Sequence, residues 1–142
     1  MPRRNRRKKE HIKGMRTVKI PRRMEIWYAD LPLDRRTSVQ GGNRPVLIVS
    51  NDTCNVVSST ITVIPLTTQI KHPSQPTHVV IEMESGEISM VLAEQIMTID
   101  KRKLNRRIDV CEEPEVVGKI EAAIKEQLSL PVSQTENKVS GV

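Results

Sequence analysis

The near absence of aromatic side chains constrains this fold more than any other feature. The 142-residue chain contains Trp27 and Tyr28 but no phenylalanine, although 37% of its residues are hydrophobic. Valine, isoleucine, leucine and methionine must fill the core, and the β-branched residues among them favour strands. Since the length suits one domain, we expect a single, mainly β domain.

Short apolar runs separated by polar turns predict five or six strands. Residues 44–50 are almost continuously apolar, which is typical of a central strand buried on both faces. Pro45 suits only the first residues of this strand, and Pro65 indicates an edge or a bulge in another. The predicted strands cover residues 24–30, 44–50, 60–67, 77–83, 88–92 and 95–99.

Helical character is predicted only late in the chain. Asp100 is a plausible N-cap for a short turn through Leu104. Residues 113–128 carry one apolar stripe at helical spacing, with Pro114 at an early helical position. The pattern predicts a small barrel capped by a helix, with its site in a groove formed by loops or by a dimer. Residues 31–42 form a long polar loop of the kind that is often functional.

Positive charge is concentrated at the N-terminus. Residues 1–23 hold eleven basic residues against Glu10, a net charge of +10, which leaves −4 on residues 24–142 because the whole chain carries +6. Such a segment suits a polyanion. The alternatives are a solvated, disordered extension over residues 1–21, or translation that begins at Met15 or Met24. We expect the domain over residues 22–130 and a second disordered tail over 131–142.

Several chemistries find no support in the sequence. It lacks a phosphate-binding Gly-Lys-Ser/Thr loop, a Gly-x-Ser-x-Gly elbow and any cluster with metal-ligand spacing. Cys54 and Cys111 are unpatterned, so we expect free thiols in a reducing cytoplasm. His78 is expected to be structural, with both ring nitrogens bonded locally. No apolar run suits a secretory signal or a membrane span.

Arg44 remains as the candidate for chemistry, because it follows a Gly-Gly pair at the start of the most apolar strand. An arginine at a strand end is usually part of a surface ion pair. Its neighbours favour another role. Residues 40–52 (QGGNRPVLIVSND) resemble the signature segment of the MazF/PemK family of endoribonuclease toxins. The similarity covers residues 22–130, and further matching blocks lie at residues 26–31, 66–69, 76–79 and 92–103.

The resemblance implies a small SH3-like β-barrel of the MazF, PemK and CcdB type with a C-terminal helix. It implies a cytoplasmic homodimer that cuts single-stranded RNA at short sequences without metal or other cofactor, leaving 2′,3′-cyclic phosphate and 5′-OH ends. A small acidic, MazE-like antitoxin would neutralise it. Arg44 matches the catalytic arginine of the family and Thr67 its catalytic threonine. Amides and hydroxyls able to read splayed bases are Ser38, Gln40, Asn51, Gln69 and Thr77.

Three positions depart from the family pattern. Val39 replaces an acid that assists catalysis in some members, which leaves no obvious general base. Met24 replaces a glycine, and Met97 replaces an arginine before the Thr-Ile-Asp run. Two hypotheses therefore stand. The first is a sequence-specific ribonuclease toxin, and the second is a catalytically weakened module on the same barrel that holds RNA or a protein.

Overall fold

The computed structural model describes residues 20–131. Almost all of the two predicted terminal tails therefore lies outside the described residues. Within that range the chain folds into seven strands, two α-helices and two 3-10 turns. The strands are β1 Glu25–Leu31, β2 Gly42–Ile48, β3 Thr60–Thr67, β4 His78–Glu82, β5 Ile88–Leu92, β6 Met97–Asp100 and β7 Leu104–Val110. The helices are α1 Asp52–Val57 and α2 Pro114–Leu128, and the 3-10 turns are Ala93–Gln95 and Lys101–Lys103.

The strands form one antiparallel sheet in the order β4-β5-β3-β2-β1-β7, with β6 also paired to β3. The sheet is barrel-like but is not closed, and β4 and β7 are its ends. One edge of β3 pairs with β6 over residues 60–63 and with β5 over residues 66–67. Pro65 lies between these two paired stretches. Pro65 does not mark an edge strand, because β3 is paired on both sides; it marks the point where one side of β3 changes its partner. The predicted mainly β class with a C-terminal helix is confirmed.

Alternate residues of β2 belong to two separate cores. Leu47 packs in a cluster that α2 covers with Ile120 and Ala123. Val46 and Ile48 pack in a second cluster on the opposite face. All three β2 residues are fully buried, and each such side chain contributes about 1.5–3 kcal/mol of hydrophobic stabilisation. The prediction of a central strand buried on both faces is confirmed.

Two elements differ from the sequence prediction. Residues 51–52 were expected only to end a strand, but Asn51 caps the short helix α1 by accepting a hydrogen bond from the Cys54 N–H at 2.9 Å. Strand β7 was not predicted. Pro45 is the fourth residue of β2 rather than one of its first. It is tolerated there because β2 pairs with β3 only from Val46 onwards.

The late elements follow the prediction closely. The Asp100 side chain caps the Lys101–Lys103 turn by accepting a hydrogen bond from the Arg102 N–H. Pro114 begins α2, where its missing N–H leaves no helical hydrogen bond unmade. Met24, where the resemblance suggests glycine, has φ 74°. That left-handed conformation costs roughly 1–2 kcal/mol for a residue with a side chain, which explains the family preference. No described helix is long and apolar enough to cross a membrane.

Both cysteines are free thiols, as predicted, but their environments differ. Cys54 is exposed, whereas burial and the nearby Asp109 carboxylate raise the pKa of Cys111 to about 11. Alkylation needs the thiolate form, and at pH 8 only about one Cys111 side chain in a thousand is in that form. We expect iodoacetamide to modify Cys54 at least about tenfold faster, measured by mass spectrometry on Cys54→Ser and Cys111→Ser variants. The Cys111 rate should keep rising up to about pH 11, and equal rates at pH 8 would contradict this assignment.

Candidate functional site

The strand register places Arg44 and Thr67 at the same end of the sheet. Val46 of β2 pairs with Pro65 of β3. Arg44 lies two residues before Val46, and Thr67 lies two residues after Pro65. Side chains alternate along a strand, so Arg44 lies on the face of Val46 and Thr67 on the face of Pro65. Both side chains therefore leave the same face of neighbouring antiparallel strands. Continued two residues beyond the Val46–Pro65 pair, this register brings together the two residues that the resemblance selects.

The Arg44 guanidinium is held by the end of the loop that precedes it. Its Nε donates to the Gly41 carbonyl at 2.9 Å, and its Nη1 donates to the Gln40 side-chain oxygen. A guanidinium has five N–H donors in a rigid fork. Within residues 20–131 these contacts leave three donors available. The group is half-buried, so it is both oriented and open to a ligand.

Thr67 offers a hydroxyl proton at the end of β3. Its side chain is half-buried, and its Oγ1 accepts a hydrogen bond from the Gln69 N–H at 3.1 Å. Among the described residues no acceptor is recorded for the hydroxyl proton itself. Thr67 can therefore donate to a phosphate oxygen or to a ribose hydroxyl placed beside Arg44.

The loop between β1 and β2, residues 32–41, has a tightly closed neck. A Cβ built on Gly41 would lie 2.3 Å from the Pro32 carbonyl oxygen and 2.7 Å from the Leu33 Cα. Only glycine allows these two backbone stretches to approach so closely. Because the same Gly41 carbonyl accepts from Arg44, the neck of this loop sets the position of the guanidinium.

Of the residues proposed to read bases, Ser38 and Gln69 are exposed near the Arg44 end of the sheet. Gln40 is half-buried, and its side-chain oxygen already accepts from Arg44. Asn51 lies beyond the other end of β2, roughly 20 Å away along the strand, and its side chain caps α1. Gln40 contacts Arg44 directly, Ser38 lies in the same loop, and the Gln69 N–H bonds Thr67. Asn51 has no such link to the site.

Thr77 is also unsuited to contact RNA. It is only 9% exposed, and its hydroxyl donates to Glu94 and accepts from Gln75, both at 3.0 Å. Glu94 also bonds His78 Nε2 at 2.7 Å, while His78 Nδ1 lies 2.8 Å from the His72 carbonyl oxygen. The expectation that both nitrogens of His78 bond locally is confirmed. Thr77 belongs to the same partly buried hydrogen-bond network, so we remove it and Asn51 from the proposed RNA contacts.

Positive charge lies beside this end of the sheet. Leu104 of β7 and Arg44 of β2 both pair with Ala29 of β1, so these three residues lie in one row across the sheet. The exposed Lys103 and Arg106 lie on either side of that row. The Arg106 guanidinium lies over the Tyr28 ring, 5.2 Å from its centroid. Arg102 contributes less to this positive surface, because it forms an ion pair with Asp100. The hydrogen bonds of this pair lower the pKa of the Asp100 carboxyl to about 2, so that side chain stays negatively charged. The remaining cations suit a phosphate backbone.

A cavity of about 570 Å³ lies away from Arg44, between the sheet ends β4 and β7. Its lining is strongly acidic. The carboxylates in that lining are Glu82, Glu84, Asp109, Glu112 and Glu113. A polyanion would be repelled there, so we place the candidate site at Arg44 and not in the cavity. Within residues 20–131 no group of three or more His, Cys, Asp or Glu side chains is arranged to hold a metal ion.

Sequence reasoning missed Gln95, whose side chain crosses from the Ala93–Gln95 turn to the loop of residues 32–41. It lies in the block of residues 92–103 that carries the resemblance. A glutamine on a short turn has no local signal of such a contact, and only the folded loop reveals it.

Comparison with known proteins places the chain in a family. A family model described as "PemK-like, MazF-like toxin of type II toxin-antitoxin system" matches residues 22–128. Endoribonuclease EndoA of Bacillus subtilis (strain 168) is 38% identical over 115 residues, which cover 78% of this chain and 97% of EndoA. Endoribonuclease MazF of Staphylococcus epidermidis is 39% identical over 100 residues, with coverages of 68% and 82%.

A solved structure shares the fold. It is an endoribonuclease in complex with its cognate antitoxin from Mycobacterial species, with a TM-score of 0.65 and 28% identity. The match covers 80% of this chain and 99% of that one. Fold and site together define a small barrel-like β protein with an arginine and a threonine at adjacent strand ends. The chain belongs to the PemK-like, MazF-like toxin family of type II toxin–antitoxin systems.

Proposed function

We propose that this protein is a sequence-specific endoribonuclease toxin that cleaves single-stranded RNA and is neutralised by a small acidic antitoxin. The placement of Arg44 and Thr67 on one face of two neighbouring strands carries the proposal. Two relatives are named endoribonucleases, and one related structure holds a cognate antitoxin, which supports both halves of it. We further propose a cytoplasmic homodimer with its single domain over residues 22–130. The family match to residues 22–128 supports that domain range.

The proposed reaction requires little chemistry from the protein, because RNA supplies its own nucleophile. The 2′-oxygen attacks the adjacent phosphorus, the bond to the 5′-oxygen breaks, and the products are a 2′,3′-cyclic phosphate and a 5′-OH. Arg44 would donate to the non-bridging oxygens and bind them more strongly as negative charge develops. Thr67 would donate its hydroxyl proton to the phosphate or hold the 2′-oxygen.

Proton transfer is the weak part of this proposed site. The 2′-OH must lose a proton and the 5′-oxygen must gain one. Val39 stands where some relatives are expected to carry an acid, and it is 50% exposed without a titratable group. We propose that water takes the first proton and supplies the second, without a metal ion. A slow but Arg44-dependent reaction is the expected consequence.

Thr67→Val should lower the single-turnover rate of cleavage about tenfold while leaving the fold intact. Valine keeps the shape and the β-branch but removes the donor to the phosphate and the acceptor for the Gln69 N–H. Thr67→Ser restores the hydroxyl and should retain most of the rate. Single-turnover cleavage of a short RNA measures both variants, and a Thr67→Val enzyme as fast as the wild type would remove Thr67 from the mechanism.

End mapping tests the proposed function itself. The protein is incubated with a long RNA in the presence of EDTA, and the new ends are mapped. Cleavage at a recurring short sequence with 5′-OH ends is expected. Val39 also favours the second candidate, a weakened binding module, which predicts intact RNA that stays bound to the protein. The absence of both cleavage and binding would reject both candidates.

A further inference from the structure

The Gln95 side chain clamps the loop of residues 32–41 at two points. Its Oε1 accepts from the Gln40 N–H at 2.7 Å, and its Nε2 donates to the Ser38 carbonyl at 3.2 Å. These contacts join parts of the chain that are 55 and 57 residues apart. One amide thus satisfies a backbone donor and a backbone acceptor on either side of Val39.

The clamped segment is the one that holds Arg44. The Gln40 backbone N–H donates to Gln95, and the Gln40 side-chain oxygen accepts from Arg44. The Gly41 carbonyl accepts from the Arg44 Nε. The guanidinium therefore donates hydrogen bonds to two consecutive residues next to the clamp. A shift of the loop would move both acceptors together.

Apart from the neck at Gly41, few contacts tie this part of the loop to the rest of the domain. The hydrogen bonds of residues 34–37, including those between Asp34 and Arg36, stay within the loop. The Val39 N–H also donates within the loop, to the Thr37 hydroxyl. Val39 itself is half exposed. Among the described residues, the two bonds from Gln95 and the bond that the Gln40 side chain accepts from Arg44 connect residues 34–40 to the body of the domain.

The support under Gln95 is rigid. Its turn lies between β5 and β6, both of which pair with β3. The turn begins at Ala93, which is 1% exposed and whose N–H donates to the Thr77 carbonyl at 2.9 Å. The turn closes through the Ile96 N–H, which donates to the Ala93 carbonyl at 3.2 Å. Gln95 can therefore transmit the position of the sheet to residues 38–40, while the neck at Gly41 fixes the end of the loop.

We propose that Gln95 is a positioning residue for Arg44, acting through the backbone of residues 38–40. The inference rests on the proposed ribonuclease function for its catalytic consequence, but not for the structural link. A guanidinium that binds a developing phosphorane must be oriented before the substrate arrives, and a misplacement of about 1 Å can cost about a hundredfold in rate. Gln95 supplies that orientation by holding the loop, although it lies 55 residues from Gln40 in the sequence.

The clamp requires both halves of the amide. Gln95→Leu keeps the approximate size and removes donor and acceptor together. Gln95→Glu keeps the acceptor for the Gln40 N–H and loses the donor to the Ser38 carbonyl. We therefore expect kcat to fall about fiftyfold in Gln95→Leu and about tenfold in Gln95→Glu, with KM within about threefold of the wild type. Gln127→Leu, at an exposed position of α2, is the matched control and should cleave like the wild type.

A second measurement does not depend on activity. The Arg44 Nε–H is hydrogen-bonded to Gly41, so its NMR signal should exchange slowly with water in the wild type and in Gln127→Leu. In Gln95→Leu that exchange should accelerate at least about tenfold while the amide protons of β2 and β3 exchange as slowly as in the wild type. This readout reports a freed guanidinium, which a general loss of stability would not produce alone.

The outcomes separate the inference from the function on which it rests. If the wild type cuts RNA and depends on Arg44, but Gln95→Leu keeps both its rate and its slow Nε–H exchange, the positioning role is overturned. If the wild type does not cut RNA, the proposed function fails, and the exchange rate alone still tests the link. Gln95→Glu replaces Gln95→Leu should the latter not fold. Failure of both to fold would mean that Gln95 is purely structural.

Discussion

Arg44→Ala is expected to lower the single-turnover rate of RNA cleavage by about a thousandfold, the largest effect of any single substitution in this protein. With Val39 in place of an acid, most of the transition-state stabilisation falls on this guanidinium. The loss of stability should be small, below about 1 kcal/mol. The half-buried side chain bonds only to Gly41 and Gln40 within the described residues, and water can replace it at both.

The loop supplies a matched control for this substitution. Arg36→Ala removes the same charge from a side chain that is 90% exposed and pairs with Asp34. Its rate should stay within about threefold of the wild type, which separates the role of Arg44 from a general loss of positive charge. Arg44→Lys keeps the charge without the planar fork and should recover only a small part of the rate. An Arg44→Ala protein that cleaves within about tenfold of the wild type would refute the mechanism.

The elements that bury a regular apolar pattern were predictable from the sequence. β2 was found because Val46, Leu47 and Ile48 form an apolar run that only a strand buried on both faces needs. α2 was found because its stripe places Ile120 and Ala123 against the sheet. In each case the spacing of apolar residues in the sequence matches the spacing of the side chains that the fold buries, so local and global preferences agree.

β7 could not be predicted in the same way. Its middle residues, 105–107, are Asn-Arg-Arg and are exposed, and its strand conformation is created by pairing with β1. The helix α1 is six residues long and contains three β-branched residues, so its propensity signal is weak. Both elements depend on tertiary context that a window of sequence does not contain.

The site was predictable as a set of residue types but not as a network. The resemblance identified Arg44 and Thr67, and the register of β2 and β3 brings them together. That Gln40 binds Arg44 instead of a base could not be expected from the residue order, because the contact depends on how the loop closes. Thr77 was selected for its hydroxyl, which the fold instead commits to Glu94. Polar side chains at a predicted site identify candidates, and only the fold decides which ones remain free.

Gly41→Ala is expected to destabilise the domain by about 3 kcal/mol and to lower Tm by about 10 °C. The added Cβ would lie 2.3 Å and 2.7 Å from backbone atoms of Pro32 and Leu33, so no side-chain rotation can relieve the overlap. The loop neck must open. Because the Gly41 carbonyl accepts from the Arg44 Nε, kcat should fall together with Tm.

Two other glycines separate this overlap from the general effect of replacing glycine. Gly118, on an exposed turn of α2, has nothing within 4 Å of a built Cβ, so Gly118→Ala should stabilise the domain by about 0.5–1 kcal/mol. Gly42 is equally open but has φ +80°, so Gly42→Ala should cost only the backbone strain, about 1 kcal/mol. Thermal unfolding should therefore rank Gly118→Ala above the wild type, then Gly42→Ala, with Gly41→Ala lowest. If Gly41→Ala instead unfolds within about 2 °C of Gly42→Ala, the neck is not the rigid support of Arg44 that its geometry indicates.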